Sequence, residues 1–182
     1  MATLEARCLD AFPDWLRSLA DDARALASVL EGEGSGVAHQ RSAAALNYLF
    51  KSLDLIPDGL EDLGFIDDAF VIRAAADAVR IEAEAELGAD STGTLARLSS
   101  EAELVQEFLG SEYGRLANYV AKLEQGSARG RSVANILADQ SVRADFVREV
   151  REWAEGYVVP GFGRDQRNLV KLRSFLLAKL PA

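Results

Sequence analysis

Residues 53–68 read Leu53-Asp54-Leu55-Ile56-Pro57-Asp58-Gly59-Leu60-Glu61-Asp62-Leu63-Gly64-Phe65-Ile66-Asp67-Asp68, and this acidic stretch separates two long helical patterns. Pro57 has no N–H to donate and disfavours helical geometry at the residue before it, so a helix must end here. Gly64 is expected to take a left-handed conformation, and Asp67 to cap the next helix through its carboxylate. The stretch predicts a helix hairpin, whose connection, residues 54–68, we call the acidic turn.

The segments on both sides of the acidic turn have helical periodicity. Small and apolar residues recur along one face of residues 37–53, which would let a second helix approach closely. After the turn, residues 68–87 carry apolar side chains on two faces, which predicts a helix at the centre of a bundle. Between those faces runs a stripe of alternating charge, whose pairs would each contribute about 0.2–0.5 kcal/mol if exposed. The stripe consists of Arg73, Asp77, Arg80 and Glu84.

The rest of the chain is also helical in pattern, with glycine-rich or polar breaks. Helices are predicted over residues 3–11, 13–30, 101–125 and 142–154, and over a last segment with Leu169, Leu172, Leu176 and Leu180 on one side. The breaks fall at residues 31–36, 88–93, 126–132 and 156–163. No segment alternates with the period of a strand. We predict an all-α, compact multi-helix bundle in a single domain, 1–182, with the hairpin core at 37–88 and a C-terminal helical extension at 99–182.

Residues 101–125 repeat apolar side chains at spacings of three and four over more than three turns. The pattern resembles a coiled-coil seam, although a bundle core is its commoner meaning at this length. If the pattern is a seam, the segment from Val105 to Leu123 is the surface through which two copies of the chain would form a homodimer.

Composition excludes several classes of protein. The chain has 182 residues, of which 49% are hydrophobic, so it is long and apolar enough to form a folded core. A net charge of −9 argues against nucleic-acid binding, which depends on cationic side chains. The lone Cys8 cannot form an intramolecular disulfide, and no opening segment combines a basic start with a long apolar run, so we expect no secretion signal. Apolar runs stay far below the roughly 18 residues of a transmembrane segment, so we expect a cytoplasmic protein.

The charge is unevenly distributed along the chain. Residues 126–182 hold ten Lys or Arg against six Asp or Glu, a net charge of +4, which leaves −13 for residues 1–125. The favoured interpretation is that the basic C-terminal part docks onto the acidic remainder. The alternative is weak peripheral contact of the basic amphipathic last helix with an anionic membrane surface.

The acidic turn holds the candidate chemistry. Asp54, Asp58, Asp67 and Asp68 are hard oxygen donors from two segments that a turn brings together, as Mg²⁺, Mn²⁺ or Ca²⁺ would require. The preferred interpretation is structural: Asp54 and Asp58 bond backbone N–H groups of the proline turn, and Asp67 and Asp68 stabilise a helix start. No histidine or second acidic motif is spaced to complete a metal shell, so we expect no cofactor and keep the divalent cation as the alternative.

The same segment carries a family resemblance. Asn47, Tyr48 and Leu49, with Asp54-Leu55-Ile56-Pro57-Asp58 and Gly64-Phe65-Ile66-Asp67-Asp68, resemble the signature of the YkvA-like bacterial domain family, over residues 42–78. That family is known mainly as a domain of unknown function, so the resemblance implies a fold and no reaction. The chain departs from the usual pattern at Gly59-Leu60-Glu61-Asp62, where a second proline is frequent, and the extra acid weighs against membrane contact of the turn.

Three functions follow as hypotheses. The leading one is a non-catalytic protein-interaction or scaffold module, acting on a protein partner or as a homodimer. The second is a metal-dependent hydrolase or phosphate-ester binding protein that uses Asp54, Asp58, Asp67 and Asp68, so an enzyme is the less favoured interpretation. The third is a peripheral membrane-associated protein.

Overall fold

A computed structural model describes residues 2–52, 54–83 and 89–182, without the side chains of residues 83 and 89–92. The all-α prediction is confirmed, since a two-stranded hairpin is the only sheet in these residues. The helices are α1 (Leu4–Glu31), α2 (Val37–Tyr48), α3 (Ile66–Ala83), α4 (Ala89–Leu109), α5 (Tyr113–Lys122), α6 (Val133–Ala138), α7 (Gln140–Gly156) and α8 (Gln166–Lys179), with 3-10 turns at Gly110–Glu112 and Leu123–Gln125. The antiparallel hairpin is β1 (Ser127–Ala128) and β2 (Arg131–Ser132), where a linker was expected.

Helix α3 lies at the centre of the bundle, as predicted. It packs against α1, α2, α4 and α5, and its first three turns are buried on every side. The charged stripe is buried at two of its members, because Arg73 is fully buried and Asp77 is 4% exposed, so the pair energies of an exposed stripe do not apply to them. The predicted end of this helix, with Glu84 and Gly88, lies outside the described residues. Helix α2 ends at Tyr48, so the prediction that it continues towards Leu53 was wrong.

Helix α1 is longer than predicted, because Pro13 lies inside it rather than at the start of a second helix. A proline removes one intrahelical hydrogen bond. The residues around it offset that loss, since Cys8, Phe12 and Trp15 are buried in the core. Tertiary packing therefore carries the helix through a position where the local pattern indicates a break.

The predicted helix over residues 101–125 is two helices. Gly110 has φ +60°, which ends α4, and α5 begins three residues later. Val105, Leu116 and Leu123 are buried within the protomer. The coiled-coil seam was therefore wrong, and the commoner meaning of the pattern, a bundle core, is what the structure has. α4 also begins at Ala89, inside the predicted break.

The C-terminal part docks on the N-terminal part, as its charge predicts. Helices α7 and α8 pack on α1, and Arg151 forms an ion pair with Glu31 (2.5 Å). Arg173 donates to the carbonyl of Phe108 (3.1 Å). The apolar stripe of α8 is buried in the core, at Leu169, Leu172, Leu176 and Leu180. Among the described residues, no helix has the length and apolar character that crossing a bilayer demands.

Candidate functional site

The backbone of the acidic turn folds back on itself tightly. The N–H of Leu60 donates to the carbonyl of Pro57 (2.9 Å), and the N–H of Gly64 donates to the carbonyl of Leu60 (2.9 Å). A Cβ built on Gly64 would lie 2.1 Å from the carbonyl oxygen of Asp58. No side chain fits at that distance, so the turn requires glycine for close approach of two backbone segments.

The start of α3 differs from the expectation in two respects. The left-handed residues of the turn are Asp62 (φ 66°) and Phe65 (φ 64°), so the prediction of a left-handed Gly64 was wrong. Helix α3 begins at Ile66, so Asp67 lies inside the first turn and does not cap it from outside. Its charge still lies at the positive end of the helix dipole.

Asp67 ties the acidic turn to the end of α2. Its Oδ2 accepts hydrogen bonds from the hydroxyl of Tyr48 (2.5 Å) and from the N–H of Ile56 (3.0 Å). The Tyr48 hydroxyl accepts from the N–H of Leu55 (2.8 Å). One carboxylate oxygen and one phenol thus satisfy two buried backbone donors of the turn. The architectural role expected of the turn's carboxylates is observed at Asp67.

The other carboxyl groups are arranged differently. We call Asp54, Asp58, Asp67 and Asp68 the carboxylate cluster. Three of its oxygens are buried without a hydrogen-bond partner in the described chain: Oδ1 of Asp54, Oδ1 of Asp67 and Oδ2 of Asp68. Asp68 is only 2% exposed, whereas Asp58 lies at the surface. The bonds expected from Asp54 and Asp58 to nearby backbone N–H groups are not formed within the described residues.

Burial raises the pKa of every member of the carboxylate cluster, and repulsion between carboxylates adds to it at Asp54, Asp67 and Asp68. Desolvation, and then the charges of Asp58 and Asp67, raises the pKa of Asp54 to about 7. Desolvation raises the pKa of Asp67 to about 6, against its hydrogen bonds, which lower it. Desolvation and the three neighbouring carboxylates raise the pKa of Asp68 well above its usual range. Partial burial raises the pKa of Asp58. These carboxyl groups therefore lie close enough for the charge of one to oppose ionisation of another.

No arginine neutralises the carboxylate cluster in the described chain. Lys51 is the one cation there that lowers the pKa of a member, Asp54. Its ammonium group donates to the hydroxyl of Tyr119 (3.0 Å) and lies 5.2 Å from the centroid of that ring. Lys51 is therefore engaged elsewhere and forms no ion pair with these carboxylates.

A second group of charged side chains, round the buried Asp22 and Arg73, is neutralised. We call Asp22, Arg73, Arg97 and Glu101 the arginine-paired cluster. Arg73 contacts Glu101 (2.6 Å) and Asp22 (3.5 Å), and Arg97 pairs with both acids. The guanidinium of Arg73 also lies 4.2 Å from the centroid of the Trp15 ring. Each buried charge here has a partner of opposite sign.

The prediction of a metal site at Asp54, Asp58, Asp67 and Asp68 stays a prediction. In the part of the chain that the structure describes, no group of three or more His, Cys, Asp or Glu side chains is placed to hold one ion. The carboxyl groups are near enough for Asp54, Asp58 and Asp67 each to raise the pKa of Asp68. The sequence did not indicate the partner of Asp67, Tyr48, whose only signal was its place at the end of the helix before the turn.

Comparison with known proteins finds one similarity. A family model described as "Protein of unknown function (DUF1232)" matches residues 42–73, from within α2 to the second turn of α3. The matched segment contains Tyr48 and the whole carboxylate cluster, and it is compatible with the YkvA-like resemblance. No curated protein and no solved structure matches the chain.

Proposed function

We propose that this chain is a non-catalytic helical module that acts through contact with a protein partner. The observation that carries the proposal is an exposed apolar pair on the connection between α7 and α8. Val158 is 82% exposed and Val159 is 46% exposed. We call these two residues the valine knob. Exposed apolar side chains cost free energy in water unless a partner covers them, at about 25 cal/mol per Å² of apolar surface.

The valine knob projects from an anchored segment. The hydroxyl of Tyr157 donates to the carbonyl of Leu16 (2.9 Å), and its ring packs edge-on against Phe65 at 5.4 Å between centroids. Phe162 packs against Phe12 at 6.0 Å on the other side of the knob. An apolar projection held in place by buried neighbours loses little conformational freedom on binding, which supports a role in recognition.

Acidic side chains lie near the connection that carries the valine knob. A Cβ built on Gly161 or Gly163 would lie within 4 Å of the Asp62 carboxylate, and Glu61 beside Asp62 is also exposed. Complementary charge favours encounter and register between two surfaces. The partner expected from this chemistry presents an apolar recess with basic side chains round it.

A photo-crosslinking amino acid at position 158 of the full chain, in the cell that produces it, tests the proposal. The matched control is the same amino acid at Val170, a valine of α8 that is 66% exposed. We expect a discrete protein adduct from position 158, absent from position 170, that weakens with Asp62→Asn. An adduct of twice the chain's mass would identify a second copy as the partner. Absence of an adduct at 158, or equal labelling at both positions, would overturn the proposal.

The two other hypotheses have less support. For peripheral membrane association, the apolar stripe of α8 is already covered by the core, which leaves Val170 as its exposed large apolar residue among those described. For a metal-dependent hydrolase or phosphate-ester binding protein, the raised pKa of Asp54 and of Asp67 is suited to proton transfer near neutral pH. That hypothesis predicts phosphate-ester hydrolysis that is lost in Asp54→Asn.

A further inference from the structure

We propose that the carboxylate cluster binds one hydrated, hard divalent cation of the Mg²⁺ class. This site is distinct from the valine knob and does not depend on the proposed protein partner. Its protein ligands would be two carboxylates, Asp68 from the first turn of α3 and Asp58 from the segment around Pro57, and water would fill the remaining positions. The cation would link the two ends of the acidic turn.

The first argument is the state of the two deepest carboxyl groups. Asp68 is 2% exposed and Asp67 is fully buried, yet each has an oxygen without any hydrogen-bond partner among the described residues. A buried charge is costly unless it is paired or coordinates a metal. In this fold the other buried acids are paired, as Asp22 is with Arg97 and Arg73. An unpaired pair of carboxyl groups on adjacent residues therefore indicates a missing positive charge.

The second argument is that no side chain of the described chain supplies that charge. Lys51, whose charge lowers the pKa of Asp54, donates its hydrogen bond to the hydroxyl of Tyr119. Two phenols also lie near the cluster: Tyr48 bonds Asp67, and Tyr157, whose pKa Asp68 and Asp58 raise, donates to the carbonyl of Leu16. Phenols donate hydrogen bonds but carry no positive charge. The positive charge would have to come from solution.

The third argument concerns coordination and access. Mg²⁺ keeps several water ligands and is commonly held by one or two carboxylates, so it does not require three side chains converging on one point. That agrees with the absence of such a convergence among the described residues. Asp58 lies at the surface and its charge acts on Asp68, so a hydrated ion can approach the cluster from the Asp58 side.

The test is a titration of the chelator-treated full chain with MgCl₂, MnCl₂ and CaCl₂ at pH 7.5, at ionic strength held constant with NaCl. Calorimetry should detect binding, and Tm should rise by about 5–10 °C at a hundredfold excess over Kd. Asp68→Asn should abolish both effects. Glu61→Gln, which removes an exposed charge from the same turn, should preserve them.

Location is tested separately in the unaltered chain. Substoichiometric Mn²⁺ should broaden the amide NMR signals of Ile56 and Ala69 before that of Leu176. Because this measurement uses the unaltered chain, it does not depend on the folding of any variant. No heat and no shift in Tm with any of the three ions would overturn the site, as would an undiminished shift in Asp68→Asn. The crosslinking at position 158 would be unaffected by that failure, so the two proposals are distinguishable.

Discussion

Helix α3 carries two kinds of buried acid environment, and they differ in one respect. In its middle, Arg73 contacts Asp22 and Glu101 and is stacked on Trp15. At its first turn, Asp67 and Asp68 are buried to the same degree but have no guanidinium beside them. The arginine-paired cluster holds α1, α3 and α4 together by direct ion pairs. The carboxylate cluster has no ion pair with a Lys or Arg side chain of the described residues.

The difference indicates what each cluster contributes. A buried ion pair is costly to break because one charge is left unpaired, so the arginine-paired cluster should be sensitive to any loss. An unpaired carboxylate raises its pKa or takes a cation, so the carboxylate cluster should tolerate loss of charge and respond to solution conditions. Substitutions in the two regions are therefore expected to have opposite signs.

The largest effect is expected from Arg73→Met. Removing the guanidinium leaves Glu101 without its closest partner and Asp22 dependent on Arg97 alone, at a cost of about 3–5 kcal/mol in the free energy of unfolding. The matched control is Arg24→Met on α1, whose side chain is 41% exposed and pairs with the exposed Asp21, with an expected loss of at most about 1 kcal/mol. Urea denaturation measures both. Equal losses would contradict the comparison.

Gly64→Ala should be next in size. The added Cβ must displace the carbonyl of Asp58 from 2.1 Å, and such overpacking costs about 1–3 kcal/mol or more. Gly59→Ala is the control within the same turn, because nothing lies within 4 Å of its Cβ. It should change the free energy of unfolding by no more than about 0.5 kcal/mol. Thermal denaturation of both variants decides whether the turn depends on close approach at Gly64.

Tyr48→Phe tests the hydrogen bonds that Asp67 organises. The change leaves the buried N–H of Leu55 without a partner and removes one donor to Asp67, with an expected loss of about 1–3 kcal/mol. Tyr119→Phe removes a half-buried hydroxyl that accepts only from Lys51, so its loss should be about 1 kcal/mol or less. Hydrogen exchange at Leu55 should accelerate in Tyr48→Phe alone. Unchanged exchange at Leu55 would mean that the Tyr48 hydroxyl does not stabilise the acidic turn.

Much of this architecture could be predicted from local pattern. The all-α class, the hairpin, the glycine-rich connection at residues 31–36 and the docking of the basic C-terminal part all follow from periodicity, turn residues and charge. The failures occur where a distant contact outweighs the local pattern. Packing of Phe12 and Trp15 carries α1 through Pro13, and the seam of residues 101–125 divides at Gly110.

The candidate site was predicted only in its membership. Spacing along one turn was enough to group Asp54, Asp58, Asp67 and Asp68. Their bonding depends on Tyr48 at the end of α2 and on where α3 begins, which spacing does not determine. The buried role of Arg73 was missed for a similar reason, since alternating charge on a helix usually indicates a solvated face and only tertiary contacts with Asp22 and Glu101 reverse that.

The direction of the pH dependence follows from the raised pKa values. In the unfolded chain an aspartate titrates at about 3.9, whereas folding raises the pKa of Asp54 to about 7 and that of Asp67 to about 6. Between these limits the folded state binds more protons than the unfolded state, so stability falls as pH rises. Without divalent cations, the cluster should favour folding near pH 5 and oppose it at pH 7.5, with Lys51 moderating the change at Asp54.

Asp68→Asn is expected to have the smallest effect, with the sign opposite to that of Arg73→Met. The amide removes a buried charge that repels Asp54, Asp58 and Asp67, so at pH 7.5 without divalent cations the variant should be more stable by about 0.5–2 kcal/mol. Its loss of stability between pH 5 and pH 7.5 should also be smaller, because the remaining carboxyl groups titrate closer to their ordinary pKa. Urea denaturation at several pH values, with Glu61→Gln as the control, measures both. A less stable variant with an unchanged pH slope would mean that Asp68 is paired like Asp22, and the contrast between the two clusters would not hold.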